Sequence, residues 1–245
     1  MKYVCTVVAL LLLFYTGIAQ KKDSLLLERY QFNLQKQKIE NTIPVKRAGY
    51  LSPKKLVVPV GMLVYGFISI NGEELQEANK EIQEEIQEHN STFHTTVDNY
   101  LQFAPAASVY ILNASGVKGQ HNFRDRTILL GMSTAIMAGT VYALKKITGE
   151  QRPDGSAYNS FPSGHTATAF SGAEFMQLEY KGYSPFLRYS GYAMATATGA
   201  LRMYNNRHWL SDVIAGAGVG ILSTKLSYWL FENMKMKKIK STTIL

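Results

Sequence analysis

The fold is decided by the stretch Thr127-Ile-Leu-Leu-Gly-Met-Ser-Thr-Ala-Ile-Met-Ala-Gly-Thr-Val-Tyr-Ala-Leu144, eighteen residues without a charge. A helix of eighteen residues is about 27 Å long, which is just enough to cross the hydrocarbon core of a bilayer. The next residue is a cation, Lys145. We therefore expect a membrane-spanning helix that delivers a lysine at its C-terminal end.

Five other segments have the composition of helices that pack inside or against a membrane. They are residues 56–70 (interrupted by Pro59), 100–117 (which contains Pro105), the run that follows His165, the small-residue segment 186–201, and 213–231 (interrupted by Lys225). No strand pattern stands out anywhere in the sequence. The sequence predicts an all-α fold, a six-helix bundle embedded in the membrane, with the active site at one end of the bundle.

Residues 73–89 differ from these segments because they carry seven glutamates. Apolar side chains recur there at three- and four-residue steps: Leu75, Ala78, Ile82 and Ile86. This spacing predicts an amphipathic helix, and its acidic outer face is expected to be solvated rather than to bind a ligand.

The first nineteen residues have the features of an export signal. Lys2 is followed by the apolar run 7–15 and by a small-residue cleavage site at Gly17-Ile-Ala19. The only cysteine, Cys5, lies inside this segment, so disulfides cannot hold the mature fold. We expect a signal peptide or N-terminal anchor at 1–19, a polar lead-in segment at 20–55, a helical domain at 56–232 and a basic C-terminal tail at 233–245.

The formal net charge of +8 comes from short groups of lysine and arginine beside apolar runs. They do not form an aromatic-laced basic surface, so nucleic acid is not an expected partner. If six helices span, the positive-inside rule places residues 46–55, 118–126, 181–188 and the tail in the cytoplasm, where the tail lysines would contact anionic lipids. The active site would then face the periplasm of a multi-pass inner-membrane protein.

Cleavage of the signal would place residues 20–55 in the periplasm, whereas six spanning helices require residues 46–55 to lie in the cytoplasm. The number of membrane crossings then differs by one. Either residues 1–19 remain as an anchor, or one weaker helix, for which 56–70 is the candidate, does not span. A third possibility is a periplasmic helical domain that only rests on the membrane.

Three separate stretches combine the groups needed to bind and transfer phosphate. They contain Lys145 with Arg152-Pro153, then Pro162-Ser163-Gly164-His165, then Arg202 with His208 and Asp212. Three cations can bind the non-bridging oxygens of a phosphate ester, and two histidines can serve as nucleophile and proton donor. His89, His94 and His121 belong to no such group and receive no role.

Local sequence supports the same site. Ser163-Gly164-His165 directly precedes a run that favours a helix, which would place free N–H groups and the positive end of a helix dipole at the anion. If residues 209–231 are helical, His208 lies at the N-terminus of that helix and Asp212 one turn further on the same face. No cysteine cluster or acidic cage is present in the sequence, so no metal and no cofactor are predicted.

These motifs resemble the signature of the type-2 phosphatidic acid phosphatase and vanadium haloperoxidase superfamily. That signature is lysine, six residues and Arg-Pro; then Pro-Ser-Gly-His; then Ser-Arg, five residues, His, three residues and Asp. Each position matches here except Leu201, which stands where the family usually has serine, so that one phosphate hydrogen bond could be missing. The sequence around Pro162–His165 resembles the lipid phosphatases of the family more than its soluble members.

The resemblance implies roles for eight residues. His208 would be the nucleophile that forms a phosphohistidine, Asp212 would orient it, and His165 would be the general acid and later the base. The phosphate would be held by Lys145, Arg152, Ser163, Gly164 and Arg202. The implied function is a metal-independent phosphatase for a lipid phosphate or diphosphate of the undecaprenyl diphosphate, phosphatidic acid, phosphatidylglycerophosphate or lipid A type.

Three alternatives remain open on the sequence. A soluble periplasmic acid phosphatase could use the same site on small phosphomonoesters, and a vanadate-dependent haloperoxidase could hold vanadate there. A non-catalytic binder of anionic lipid headgroups would need the cations but neither histidine.

Overall fold

The structure is a computed structural model that describes residues 49–243, with side chains described as far as residue 236. Eight helices and no strand occur in that part of the chain: α1 Pro53–Asn71, α2 Glu73–Asn90, α3 Val97–Leu101, α4 Ala104–Ala114, α5 Phe123–Thr148, α6 Gly164–Glu179, α7 Pro185–Tyr204 and α8 Leu210–Thr243. The predicted all-α class is confirmed. The segment 1–19, Cys5 and most of the lead-in 20–55 lie outside the described residues.

The helix count is eight within the described residues rather than the predicted six. One added helix is α2, the acidic amphipathic segment, whose seven glutamates are all exposed. The other arises because the single helix predicted at 100–117 is two helices, α3 and α4, with Pro105 in the first turn of α4. Proline has no N–H to donate and is tolerated in a first turn, where that donor would have no partner within the helix.

The last helix is longer than predicted, because α8 begins before Val213 and continues to Thr243 through the lysine-rich segment that was expected to be a tail. Lys225 does not interrupt it. Its ammonium group lies 2.6 Å from Oε1 of Glu174 on α6, and both side chains are largely buried. An ion pair of this kind lets a charge sit among apolar helices without breaking them.

Within the described residues, three helices are long and apolar enough to cross a membrane: α1, α5 and the first 27 residues of α8. Six spanning helices were expected, and α6 shows one reason for the difference, since its 16 residues reach only about 24 Å. Large apolar side chains of α1 and α5 point outward, as lipid-facing residues do; they include Val57, Val58, Ile68, Tyr142 and Ile147.

Small residues bring α6 and α8 into close contact, and this contact places the functional residues. A Cβ added to Gly216 of α8 would lie 2.5 Å from the carbonyl oxygen of Ser163, just before α6. One turn later, a Cβ on Gly220 would overlap the carbonyl oxygen of Ala167. Only glycine permits backbones to approach this closely.

A second polar cluster lies at the other end of α6. Glu179, which is fully buried, accepts hydrogen bonds from Nδ1 of His121 (2.7 Å), the His121 backbone N–H (3.1 Å) and the Tyr228 hydroxyl (2.7 Å). Arg126 lies 3.5 Å from the same carboxylate, and Glu232 lies 3.6 Å from Nε2 of His121. We call these five residues the distal cluster. His121, for which the sequence suggested no role, therefore belongs to an ion-paired group.

Candidate active site

All eight predicted site residues lie at the meeting point of helix ends. Lys145 is in the last turn of α5, Arg202 is in the last turn of α7, and His208 and Asp212 flank the start of α8. Ser163, Gly164 and His165 form the start of α6, while Arg152 lies in the loop between α5 and α6. The Ser163 N–H donates to the carbonyl oxygen of Asp212 over 3.0 Å, which ties the starts of α6 and α8 together.

The loop between α5 and α6 is held by its own hydrogen bonds. Gly149 ends α5 in the left-handed region (φ 58°) and donates its N–H to the Lys145 carbonyl oxygen. Across the loop, the Ser160 N–H donates to Glu150 and the Arg152 N–H donates to Ala157. The indole N–H of Trp209 donates to the Gln151 carbonyl oxygen over 2.8 Å and fixes the loop to α8. Lys145 and Arg152 are thus presented from a defined backbone.

These two cations bind carbonyl oxygens rather than carboxylates. The Lys145 ammonium donates to the backbone carbonyl oxygens of Asn159 and Ser160, and Arg152 Nε donates to Oδ1 of Asn159 over 3.0 Å. Neither cation has a carboxylate partner within the described residues. Burial and the neighbouring charges of Arg202 and Arg207 lower the pKa of Arg152. Such a concentration of positive charge favours an anionic ligand.

His208 is 2% exposed, and its Nδ1 faces the carboxylate of Asp212 at 3.3 Å. The same carboxylate oxygen accepts from the Ser160 hydroxyl (2.5 Å) and from the Trp209 N–H (3.0 Å). Because Nδ1 is turned to this group, Nε2 is the nitrogen left to react. Burial lowers the pKa of His208 to about 4, against the opposing effect of Asp212. The ring is therefore neutral at neutral pH, as a nucleophile must be.

The start of α6 combines a capped helix end with an open backbone. The hydroxyl oxygen of Ser163 accepts from the Thr166 N–H (3.4 Å) and from the Thr166 hydroxyl (2.9 Å), so it caps the helix. A Cβ added to Gly164 would lie 3.8 Å from Val141, an ordinary contact distance. Packing within the protein therefore does not require glycine here, whereas an anion at the helix N-terminus would need that space.

His165 occupies the other side of the cationic group. Its Nε2 lies 2.8 Å from Oδ1 of Asn99, a residue of α3. Burial and the charges of Arg202, Arg152 and Lys145 lower the pKa of His165 to about 4, while Asp98 acts in the opposite direction. This mutual influence shows that the three cations and His165 share one electrostatic environment.

Arg202 also meets α3. Its Nη1 lies 2.5 Å from Oδ2 of Asp98, and Asp98 is only 1% exposed. Sequence reasoning missed Asp98, Asn99 and Ser160, because none of them belongs to the three motifs. Asp98 lies in a polar run just before the apolar segment predicted at 100–117, and nothing in the sequence tied it to Arg202.

The acidic helix α2 fixes the ends of α7 and α8. Asn79 donates to the Ser211 hydroxyl (3.0 Å) and accepts from the Ser211 N–H (3.2 Å), while Gln83 donates to the Met203 carbonyl oxygen (3.0 Å). The glutamates lie on the opposite, exposed face, as expected. Between residues 49 and 236, no group of three or more His, Cys, Asp or Glu side chains could hold a metal ion.

The fold and the site define a class: an all-helical protein with helices of membrane-spanning length and a cationic, histidine-bearing group at their ends. Comparison with known proteins finds one similar family. The model of the PAP2 superfamily matches residues 126–235, a range that includes all eight predicted site residues. This part of the chain is similar to the PAP2 superfamily.

A curated relative is the lipid A 1-phosphatase of Porphyromonas gingivalis, which is 46% identical over 142 residues. That alignment covers 57% of this chain, and the chain spans about a third (32%) of the relative's length.

Two solved structures are similar. One is Aquifex aeolicus LpxE, with 22% identity, a TM-score of 0.44 and coverage of 59% of this chain and 93% of that one. The other is the first transmembrane PAP2-type phosphatidylglycerolphosphate phosphatase from Bacillus subtilis, with 22% identity, a TM-score of 0.48 and coverage of 72% and 96%.

Proposed function

We propose that this protein is a metal-independent phosphatase that removes phosphate from a membrane lipid through a phosphohistidine at His208. One observation carries the proposal. A buried, neutral His208, oriented by Asp212, lies within the electrostatic influence of Lys145 and Arg202, in a cationic group that includes two cations without carboxylate partners among the described residues. The negative charge of a phosphate ester would match this group of cations.

In the first step, Lys145, Arg152, Arg202 and the Gly164 N–H would bind the non-bridging oxygens. Nε2 of His208 attacks phosphorus as the bond to the leaving oxygen breaks, and His165 gives its proton to that oxygen. Burial and three cations oppose the protonation of His165 and lower its pKa. A bound phosphate would offset their charge and raise the pKa of His165, so that it can act as the acid.

In the second step, a water molecule attacks phosphorus, and His165 takes its proton as the base. The bond between phosphorus and Nε2 breaks, so His208 is recovered and inorganic phosphate leaves. Asp212 would hold Nδ1 throughout and stabilise the positive charge that develops on the ring of His208.

The substrate is proposed to be a lipid phosphate because α5 and α8, which carry Lys145 and Asp212, are long and apolar enough to span a membrane. Among the lipid types considered, lipid A 1-phosphate is favoured by the relative that shares 46% identity. We further propose that the protein is a multi-pass inner-membrane protein whose site faces the periplasm. In support, lysine and arginine side chains gather at the distal end of the helices; they include Lys118, Arg124, Lys181 and Arg188.

The test is phosphate release by purified protein in detergent with EDTA present. The panel contains lipid A, undecaprenyl diphosphate, phosphatidic acid, phosphatidylglycerophosphate and p-nitrophenyl phosphate. We expect release that survives EDTA, is highest with lipid A, and falls by a factor of about 10⁴ or more in His208→Ala.

The matched control is His89→Ala, which removes an exposed histidine of α2 and should leave release unchanged. Full activity in a folded His208→Ala protein would contradict the mechanism. Preference for p-nitrophenyl phosphate, without any need for detergent, would favour the acid phosphatase alternative instead. Binding without release would favour a headgroup-binding protein.

A further inference from the structure

Two consecutive residues on the short helix α3 contact two different functional groups of the proposed site. Asp98 Oδ2 lies 2.5 Å from Nη1 of Arg202, and Asn99 Oδ1 lies 2.8 Å from Nε2 of His165. Both belong to a segment that lies outside the family match and outside every motif in the sequence. Their contacts need an explanation other than the family signature.

The segment that carries them is fixed to the end of α7. The Thr95 N–H donates to Oδ1 of Asn205, and Nδ2 of Asn205 donates back to the Thr95 carbonyl oxygen, both over 2.9 Å. This reciprocal pair lies three residues before Asp98, and Asn205 lies three residues after Arg202. The ion pair is therefore built on two backbones that are already joined, which reduces the entropy lost when Arg202 is ordered.

Asp98 is buried, and a buried carboxylate is destabilising unless a cation pairs with it. Its side chain is 1% exposed, and its second oxygen, Oδ1, has no hydrogen-bond partner among the described residues. A carboxylate held in this way is costly unless it neutralises a nearby charge. The guanidinium of Arg202 is that charge, so Asp98 fixes the orientation of the fork that would face the phosphate.

Asn99 meets the reacting nitrogen of His165. Because an amide oxygen can only accept, the contact between Oδ1 and Nε2 places the ring proton on Nε2. Nε2 is therefore the nitrogen that carries a proton toward a leaving oxygen. A leaving oxygen would accept the same proton that Asn99 accepts in this structure.

We propose that Asp98 and Asn99 are positioning residues of the phosphate site: Asp98 holds the guanidinium of Arg202, and Asn99 keeps the transferable proton on Nε2 of His165. This inference rests on the proposed function and adds α3 to the working parts of the site.

The proposal has a signature that a merely structural role would not produce. His165 is faced by Arg202, Arg152 and Lys145, which disfavour its charged form, and by Asp98, which favours it. Asn99→Asp adds a second carboxylate against Nε2 and should raise the pKa of His165 by about one unit or more. Asp98→Asn removes a carboxylate and should lower the pKa of His165. The two substitutions must act in opposite directions.

The experiment is an NMR titration of the ¹⁵N-histidine-labelled full chain in detergent, with His165 identified from a His165→Gln variant. The pH–rate profile of lipid phosphate release is measured on the same samples. Its basic limb should move to higher pH in Asn99→Asp and to lower pH in Asp98→Asn. In Asp98→Asn we also expect kcat to fall by about 10- to 100-fold, with much less change in KM, because Arg202 loses its orientation. Asp98→Glu restores the charge and should recover the position of the basic limb.

Thr96→Asp is the matched control, since it adds the same charge to an exposed residue of the same segment. It should leave the titration of His165 and the activity unchanged. If Asp98→Asn fails to fold, Asn99→Asp still decides the question, because Asn99 is exposed. An unchanged His165 titration in Asn99→Asp, or an equal shift in Thr96→Asp, would overturn the proposal. Absence of phosphate release by the wild type would instead contradict the proposed function. The titration of His165, which needs no lipid phosphate, would still test the role of Asn99.

Discussion

The two ends of the same helices carry two polar clusters that differ in how their charges are paired. At the distal end, Glu179 is surrounded by donors from three segments, and Glu232 adds a second carboxylate beside His121. At the end that carries the proposed active site, Lys145 and Arg152 contact carbonyl and amide oxygens and have no carboxylate partner within the described residues. Fourteen residues separate His165 from Glu179 along α6, about 21 Å. Cations without a carboxylate partner favour the binding of an anion, whereas the paired charges of the distal cluster stabilise the fold.

The largest expected effect on stability comes from unbalancing the distal cluster. Glu179→Gln keeps the size of the side chain but leaves the buried Arg126 without its carboxylate and His121 with only the 3.6 Å contact to Glu232. We expect a loss of about 3–5 kcal/mol in the free energy of unfolding, because unpaired buried charge is costly. Phosphate release per folded molecule should stay near the wild-type value.

The measurement is unfolding in detergent, followed by the activity of the folded fraction. Glu232→Gln is the matched control, because Glu232 is 31% exposed and 3.6 Å from His121. It should cost less than about 1 kcal/mol. Equal losses in the two variants would show that the distal cluster does not depend on Glu179.

At the active-site end we expect a substitution to reduce activity and to leave stability unchanged. Lys145→Ala should lower kcat/KM by about 10²–10³-fold, as loss of one fixed donor to a developing charge does. The free energy of unfolding should stay the same or rise slightly, because Lys145 has no carboxylate partner within the described residues and lies near Arg152 and Arg202.

Lys146→Ala is the control, since Lys146 is the adjacent, exposed lysine of the same helix. Kinetics with a lipid phosphate and unfolding in detergent are measured for both variants. A large loss of stability in Lys145→Ala with normal kinetics would reverse the assignment of the two clusters.

Alkaline pH should loosen the distal cluster. Burial opposes the charge on His121, but hydrogen bonds to Glu179 and Glu232 outweigh it and raise the pKa of His121 from 6.5 to about 9. The charged form of His121 therefore contributes up to about 3 kcal/mol to the free energy of unfolding. This contribution is fully present below the unfolded pKa of 6.5 and is lost as the pH rises through about 9. His121→Gln should flatten this part of the stability profile, as measured by unfolding between pH 6 and pH 10. An unchanged slope in the variant would mean that another group titrates.

The close approach of α6 and α8 gives a smaller effect that links packing to the site. Gly216→Ala places a methyl group against the Ser163 carbonyl oxygen and should cost about 1–3 kcal/mol. It should also reduce phosphate release, because Ser163 precedes the helix start that would bind the anion. Gly139→Ala on α5 is the control, since an added Cβ has nothing within 4 Å there. Equal effects of the two substitutions on phosphate release would contradict this link.

The sequence predicted much of this end of the molecule, because the motifs have fixed spacing and each sits at a helix end. The eighteen uncharged residues before Lys145 predicted α5 within four residues at either end. The small residues of α7 and the Pro162–His165 turn likewise placed α7 and the start of α6.

What the sequence could not provide is pairing between residues that are far apart. Asp98 meets Arg202 across 104 residues, and Glu179 meets His121 across 58. No period or spacing encodes such contacts, because they arise only when helices pack. The same limit applies to Lys225. The sequence predicts that this charge interrupts the last helix, whereas its ion pair with Glu174, 51 residues earlier, lets the helix continue.

The most direct test of the central claim is to trap the phosphohistidine. In His165→Ala the second step should stall because the base is missing, whereas p-nitrophenyl phosphate needs little help from an acid to leave. We expect stoichiometric release of p-nitrophenol in one burst, and an alkali-stable, acid-labile phosphate that mass spectrometry locates on His208. The double variant His165→Ala/His208→Ala should show neither. A burst that persists without His208, or a phosphate found on any other residue, would contradict the mechanism.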